Sequence, residues 1–191
     1  MLAFQMASAL LFATFFLSIG TKPTVEHQQA KPSISSTSQT TATVAASVPQ
    51  SCPVTQPPSH PFLPPSPYPG QTSTDGFWFG SEKLWIQLPT NGAWSHLPHY
   101  EPTDLAFRQK LQWWRRGYNS RTENIPRLTV TGRRLDSSAP PLTTDEHANN
   151  AGAIPDRASM MTGIFIPTLG CWQITGDYKG DKLTFVIWVA P

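Results

Sequence analysis

The chain has 191 residues, with 14 Lys and Arg against 12 Asp and Glu and a formal net charge of +2. So even a balance excludes a nucleic-acid-wrapping role, which needs a concentrated excess of basic charge. With 20 Pro, seven Trp and only two Cys, the composition points to one small folded unit attached to low-complexity chain.

Residues 1–20 are almost wholly apolar, through Leu10-Leu11-Phe12-Ala13-Thr14-Phe15-Phe16-Leu17, and end on Ser18-Ile19-Gly20, small residues of the kind a signal peptidase requires. A secretory signal peptide cleaved after Gly20 is the expectation. Peripheral or N-terminal membrane anchoring is the lesser alternative, because the run barely reaches the roughly 20 apolar residues of a bilayer span.

Residues 21–73 read as a disordered Pro/Ser/Thr-rich tether: Ser35-Ser36-Thr37-Ser38-Gln39-Thr40-Thr41 and the prolines at 57, 58, 61, 64, 65, 67 and 69 offer little to bury. Such a tether holds a domain roughly 40 to 100 Å from its attachment point. The neighbourhood of Cys52 is the exception, since a disulfide there docks the chain onto the domain.

From residue 74 to 191 the composition changes, and all seven Trp lie in this stretch. Short β-branched and aromatic runs alternate with turn residues: Gly76–Phe79, Leu84–Leu88, the Asn91-Gly92 turn, Leu111–Arg115, Leu128–Thr131, Gly163–Ile166, and a final hairpin of Gly170–Gly176 and Leu183–Val189 around Gly180-Asp181. The fold expected is all-β, a small immunoglobulin-like β-sandwich. Thr103–Lys110 is the single helical candidate, with Thr103 as its N-cap, and Ser137–Arg157 is expected to be a long loop.

Alternation along the last strand places Leu183, Phe185, Ile187 and Val189 on one face and Thr184, Val186 and Trp188 on the other. On the preceding strand Trp172, Ile174 and Gly176 share a face while Cys171 points the opposite way. A Cys52–Cys171 bridge, the single pairing available, therefore lies on the outer side of its sheet or at the strand's end and implies an extracytoplasmic location, secreted or in the cell envelope.

The segment Phe165-Ile166-Pro167-Thr168-Leu169-Gly170-Cys171-Trp172-Gln173-Ile174-Thr175-Gly176 with Leu183-Thr184-Phe185-Val186, together with Trp113-Trp114-Arg115, Gly132-Arg133-Arg134-Leu135-Asp136 and Cys52-Pro53-Val54-Thr55, resembles a group of uncharacterised bacterial exported proteins and lipoproteins. The resemblance implies the bacterial envelope and the two-cysteine pairing, and it names no catalytic residue. Such proteins often carry a lipobox cysteine after the signal, where this chain has Thr21.

Between Arg108 and Arg134 stand Arg108, Lys110, Arg115, Arg116, Arg121, Arg127, Arg133 and Arg134 against Glu123 alone. If Arg115, Arg133 and Arg134 converge beside Trp113 or Trp114, their guanidinium forks suit carboxylate or phosphate groups while an indole stacks on a sugar or lipid headgroup. The bland alternative is that they pair with Asp136, Asp145, Glu146 and Asp177 or stay solvated. A carbohydrate platform is a second idea: Trp85, Trp172 and Trp188 belong to the core, which leaves Trp94 and one of Trp113 and Trp114 exposed.

His96 and His99 are metal-ligand residue types, with His60, His147, Met160 and Met161 as further members of a copper- or zinc-binding set. Pro98 between the two argues for an extended turn rather than one helical face. For catalysis the chain offers no nucleophile elbow, no His-Glu-x-x-His and no phosphate loop; Ser95-His96 and Asp145-Glu146-His147 are its local groupings of catalytic residue types. The function expected is a noncatalytic exported module, without cofactor, binding an anionic or glycan-bearing envelope component and no nucleic acid. The alternatives are an exported Cu/Zn-handling protein and a hydrolase with a triad assembled from distant segments.

Overall fold

Period-two burial along the apolar runs builds the fold. In β8, Gly170–Tyr178, and β9, Asp181–Val189, Trp172, Ile174, Phe185, Ile187 and Val189 are buried on one face while Gln173, Thr175, Thr184 and Val186 sit on the other. The two strands pair antiparallel from Gly170↔Val189 to Tyr178↔Asp181, with the turn at Lys179-Gly180 where both residues have positive φ. The computed structural model describes residues 47–99, 101, 104–151 and 158–191, and the backbone alone for 146–151.

The remaining strands are β1 (Gly76–Ser81), β2 (Leu84–Pro89), β3 (Ala93–Trp94), β4 (Phe107–Trp114), β5 (Leu128–Arg134), β6 (Thr143–Ala151) and β7 (Met160–Ile166). They form a five-stranded sheet, β1-β2-β4-β7-β6, packed on a four-stranded sheet, β3-β9-β8-β5. Strands β4, β7 and β6 take the B, E and D places of an immunoglobulin domain in one sheet, and β5, β8 and β9 the C, F and G places in the other. First-strand duty is shared: β2 pairs with β4, then the chain turns at Asn91-Gly92 and β3 lies parallel to β9. One apolar core, including Leu88, Leu111, Trp113, Ile164, Trp172 and Phe185, fills the space between the sheets.

Two expectations from the sequence are corrected. The described part of the helical candidate is not helical: the segment is extended and enters β4 at Phe107, because β4 finds a seven-residue partner in β7 and pairing with it outweighs one local turn. The long loop contains β6, which pairs with β7 on both sides of a register shift between Asp145 and Asn150. It is polar because it is an edge strand, with Thr143 and Thr144 exposed, so it lacks the apolar alternation of a half-buried strand. Residues 152–157 lie outside the described ones.

The tether divides in the same way. Residues 21–46 lie outside the described residues, whereas residues 47–73 form a strap held on the sandwich. Cys52 is bonded to Cys171, with the Cα atoms 5.6 Å apart, and Cys171 stands opposite Trp188 on the outer face of the four-stranded sheet. Thr55 then extends that sheet's edge: its N–H donates to Val186 O at 2.9 Å, and its Oγ1 accepts from Val186 N at 2.8 Å. Further along, Tyr68 and Phe62 cover the outer side of the other sheet, meeting Trp85 edge-on and tilted at 4.9 and 5.5 Å between centroids, while Trp78 and Trp114 meet edge-on at 5.0 Å. The Tyr68 hydroxyl donates to Arg115 O at 2.7 Å, and burial pushes that phenol's pKa up. Aromatic burial repays the ordering of a proline-rich segment that has few rotamers to lose.

Candidate functional site: a gap between two strands

The arginines do not converge. Arg134, at the end of β5, donates from Nε to Asp136 Oδ1 at 2.7 Å and from Nη1 to Thr168 Oγ1 at 3.2 Å. That hydrogen bond, opposed by burial, holds the Asp136 carboxyl below the usual carboxylate range. The guanidinium lies over Gly170, whose φ of 136° and lack of a side chain both admit it; a Cβ there would stand 2.5 Å from Nε. Arg115 sits at the other end of β8, with Nη1 3.1 Å from Asp181 and its guanidinium 5.2 Å above the Tyr178 ring. Trp172, beside Arg134, and Tyr178, beside Arg115, are six residues apart on one strand, about 20 Å at ~3.3 Å per residue. Arg133 lies on the outer face, donating from Nε to Gln173 Oε1 at 3.0 Å. Arg108 and Arg116 pair with Asp145 and Glu82 at 3.4 and 2.7 Å. Four of the eight cations, Arg108, Arg115, Arg116 and Arg134, are thus held in separate ion pairs around the sandwich.

Of the tryptophans, Trp113 is fully buried between the sheets, which removes it from any ligand surface. Trp114 points outward, as alternation requires, but the aromatic cluster under the strap leaves it 7% exposed. Trp85 and Trp172 are buried, and Trp188 and Trp94 are half-buried. Trp94 meets Phe185 edge-on at 6.1 Å between centroids and keeps part of its ring open.

His96 and His99 are both exposed, in the segment after β3; His96 has a φ of 55°, and His99 Nδ1 is 3.0 Å from Ala106 O. Among the described residues no three His, Cys, Asp or Glu side chains gather at metal-binding distance. Met160 is buried in the core, His60 is on the strap, and the His147 side chain lies outside the described residues. Ser95 is exposed beside His96, and Asp145 is held by Arg108.

What the fold does bring together surrounds a gap in the five-stranded sheet. Strand β2 pairs with β4 at only two positions, Trp85↔Trp114 and Ile86↔Trp113, before it veers off to become β3 on the other sheet. At the far end of β4, the Arg108 N–H donates to Pro98 O at 2.7 Å. Between these closures, Gln109–Gln112 border a cleft of about 350 Å³ lined also by Trp94, Trp114, Gln87, Leu88, Asp75 and Ser73. The side chains there are held: Gln109 Oε1 accepts from the Lys110 N–H at 3.2 Å, Gln112 Nε2 donates to Ser159 Oγ at 2.8 Å, and Gln87 Nε2 donates to Ser73 Oγ. Gln109 shares a strand face with Leu111 and Trp113, and Gln112 shares the opposite face with Trp114, so the two side chains border the gap from its two sides, each with hydrogen-bonding capacity left over. The lining mixes the Trp94 and Trp114 indoles and Leu88 with amide, hydroxyl and charged groups, a composition open to a small polar molecule.

Of the residues singled out from the sequence, Trp94, Lys110 and Trp114 line this gap. The glutamines were missed, because they come from β2 and β4 and show no spacing in the chain that predicts their meeting. A second, larger cleft lies at the end of the sandwich that carries the β1–β2 and β8–β9 turns.

No family model, curated protein or solved structure matches this chain.

Proposed function

We propose that the protein is a noncatalytic binding module of the extracytoplasmic space, whose β-sandwich takes a saccharide unit of an envelope glycan into the gap between β2 and β4. The observation that carries this reading is that the half-buried Trp94 and the side chains of Gln87, Gln109 and Gln112 line one cleft. Sugars present apolar C–H faces that stack on aromatic rings and hydroxyls that both donate and accept. Indoles and primary amides match those two properties without requiring a charge. The cleft volume of about 350 Å³ suits one or two pyranose rings of a longer chain.

The location rests on the Cys52–Cys171 bond, which belongs in an oxidising compartment, and on the apolar residues 1–20 as an export signal.

Calorimetric titration of the full chain with neutral oligosaccharides, tetramers of β-linked glucose and of N-acetylglucosamine, tests the reading. Saturable binding weakened at least about tenfold by Gln109→Ala or Gln112→Ala, with the melting temperature kept, supports it. Absence of binding, or binding indifferent to both substitutions, overturns it.

A further inference from the structure

The larger cleft, about 580 Å³, has a chemistry unlike that of the gap. One wall is the strap at Pro58, His60 and Phe62; the inner surface is Trp78, Phe79, Leu84 and Leu183. Phe62 is fixed from behind by Trp85, so this wall is part of the packed structure rather than a draped coil. At the mouth stand Lys83, Asp181 and Lys182.

The charges there do not cancel. Lys182 Nζ lies 3.6 Å from Asp177, and Lys83 Nζ lies 3.6 Å from Asp181, but Asp181 also holds Arg115 at 3.1 Å. Two cations share one carboxylate, which leaves one positive charge over at the mouth. Both lysine contacts are longer than a hydrogen bond, and the two side chains are 78% and 68% exposed. Pairs of that kind are weak, so the ammonium groups retain donors for a ligand. An apolar interior under a mouth with one excess cation is complementary to a molecule with a hydrocarbon body and a single anionic end.

We propose that this cleft binds an amphipathic monoanion, an alkyl or aryl carboxylate whose tail lies along the Phe79 and Leu183 side chains beside the Phe62 wall and whose head group meets Lys83 and Lys182. The site is independent of the saccharide gap: it stands at the turn end of the sandwich and shares no lining residue with it.

The test titrates the disulfide-bonded full chain with dodecanoate below its micelle concentration, beside a dodecyl maltoside and a dodecyltrimethylammonium salt carrying the same tail. The Lys83→Ala/Lys182→Ala protein is the comparison. Residues 1–20 are common to both proteins, so any tail binding by that apolar run cancels in the difference. Expected are one dodecanoate per chain, weakened about tenfold by the double substitution with an unchanged melting temperature, and weaker binding of the other two amphiphiles. Equal binding of all three tails, or dodecanoate binding unaffected by the substitutions, overturns the proposal. A protein that ignores dodecanoate yet sediments with phosphatidylglycerol vesicles through the same lysines overturns it in favour of a membrane surface.

Discussion

The Trp113 indole presses against the backbone of Gly176: a Cβ at that glycine would stand 2.6 Å from the six-membered ring. Trp113 is on the strand in the B position and Gly176 on the strand in the F position, the two strands that a disulfide joins in antibody domains. Here an aromatic ring set on a bare backbone fills the centre between the sheets, and the one disulfide has moved to the outer face, where it holds the strap.

Gly176→Ala is therefore an overpacking substitution, expected to cost about 1–3 kcal/mol. Trp113→Ala leaves a cavity instead and is expected to cost about 3–5 kcal/mol. Denaturant unfolding of both proteins checks the pair, and a neutral Gly176→Ala would show that the ring has room to retreat.

The strap makes the folded unit longer than the apolar segments alone suggest. Limited proteolysis of the oxidised protein is expected to leave a fragment beginning near residue 47, and non-reduced peptide mapping to join Cys52 to Cys171. Reduction is expected to lower stability by about 2–5 kcal/mol and to move the protected boundary toward Thr74. A boundary at Thr74 in the oxidised protein would contradict the docking of Phe62 and Tyr68.

Glu123 pins the loop after β4 to the β8–β9 turn. Burial alone would raise its pKa, but hydrogen bonds from Lys179, Tyr178 and the Arg127 amide prevail and hold it at about 2. With a folded pKa below the unfolded value, this contribution is complete above the ordinary glutamate range and is lost as the pH falls toward 2. The wild-type protein should lose stability over that interval more steeply than Glu123→Gln, which should already be weaker at neutral pH by about 1–2 kcal/mol. The Tyr118 phenol, buried and beside the Glu123 and Tyr178 charges, is pushed up to about 12. Spectrophotometric titration should leave it unionised at pH 11.

The arginines behave as structural partners. Arg134→Gln loses contacts to Asp136 and Thr168 in a half-buried setting and is expected to cost about 1–2 kcal/mol. Arg133→Gln, with one exposed bond to Gln173, should leave stability almost unchanged. Equal melting temperatures for both would restore the view that these side chains are reserved for a ligand.

What could be read from the chain follows from where each signal resides. The β8–β9 hairpin and the outward direction of Cys171 were legible because alternation is local and one face is buried. Strand β6 was not, since an edge strand built from Thr143, Thr144 and Asp145 looks like a loop until β7 lies beside it. The strap was hidden by its prolines: Phe62 and Tyr68 are isolated aromatics in low-complexity sequence, and only the outward-pointing Trp85 indole, which they bury, gives them a destination. The basic block was legible as charge, but pairing partners such as Asp181, at the start of β9, and Glu82, in the β1–β2 turn, are brought near by the fold alone. Trp94 could be named from the sequence as a candidate platform, whereas the amides around it depend on β2 leaving β4 after Ile86.

The seven tryptophans offer a direct test of the saccharide reading. In a titration with the neutral tetramers followed by the indole N–H resonances in a ¹H–¹⁵N spectrum, the Trp94 signal is expected to move progressively to saturation while those of Trp113 and Trp172 stay fixed. A spectrum in which Trp94 stays still at saturating sugar, or in which buried and half-open indoles shift alike, would contradict it.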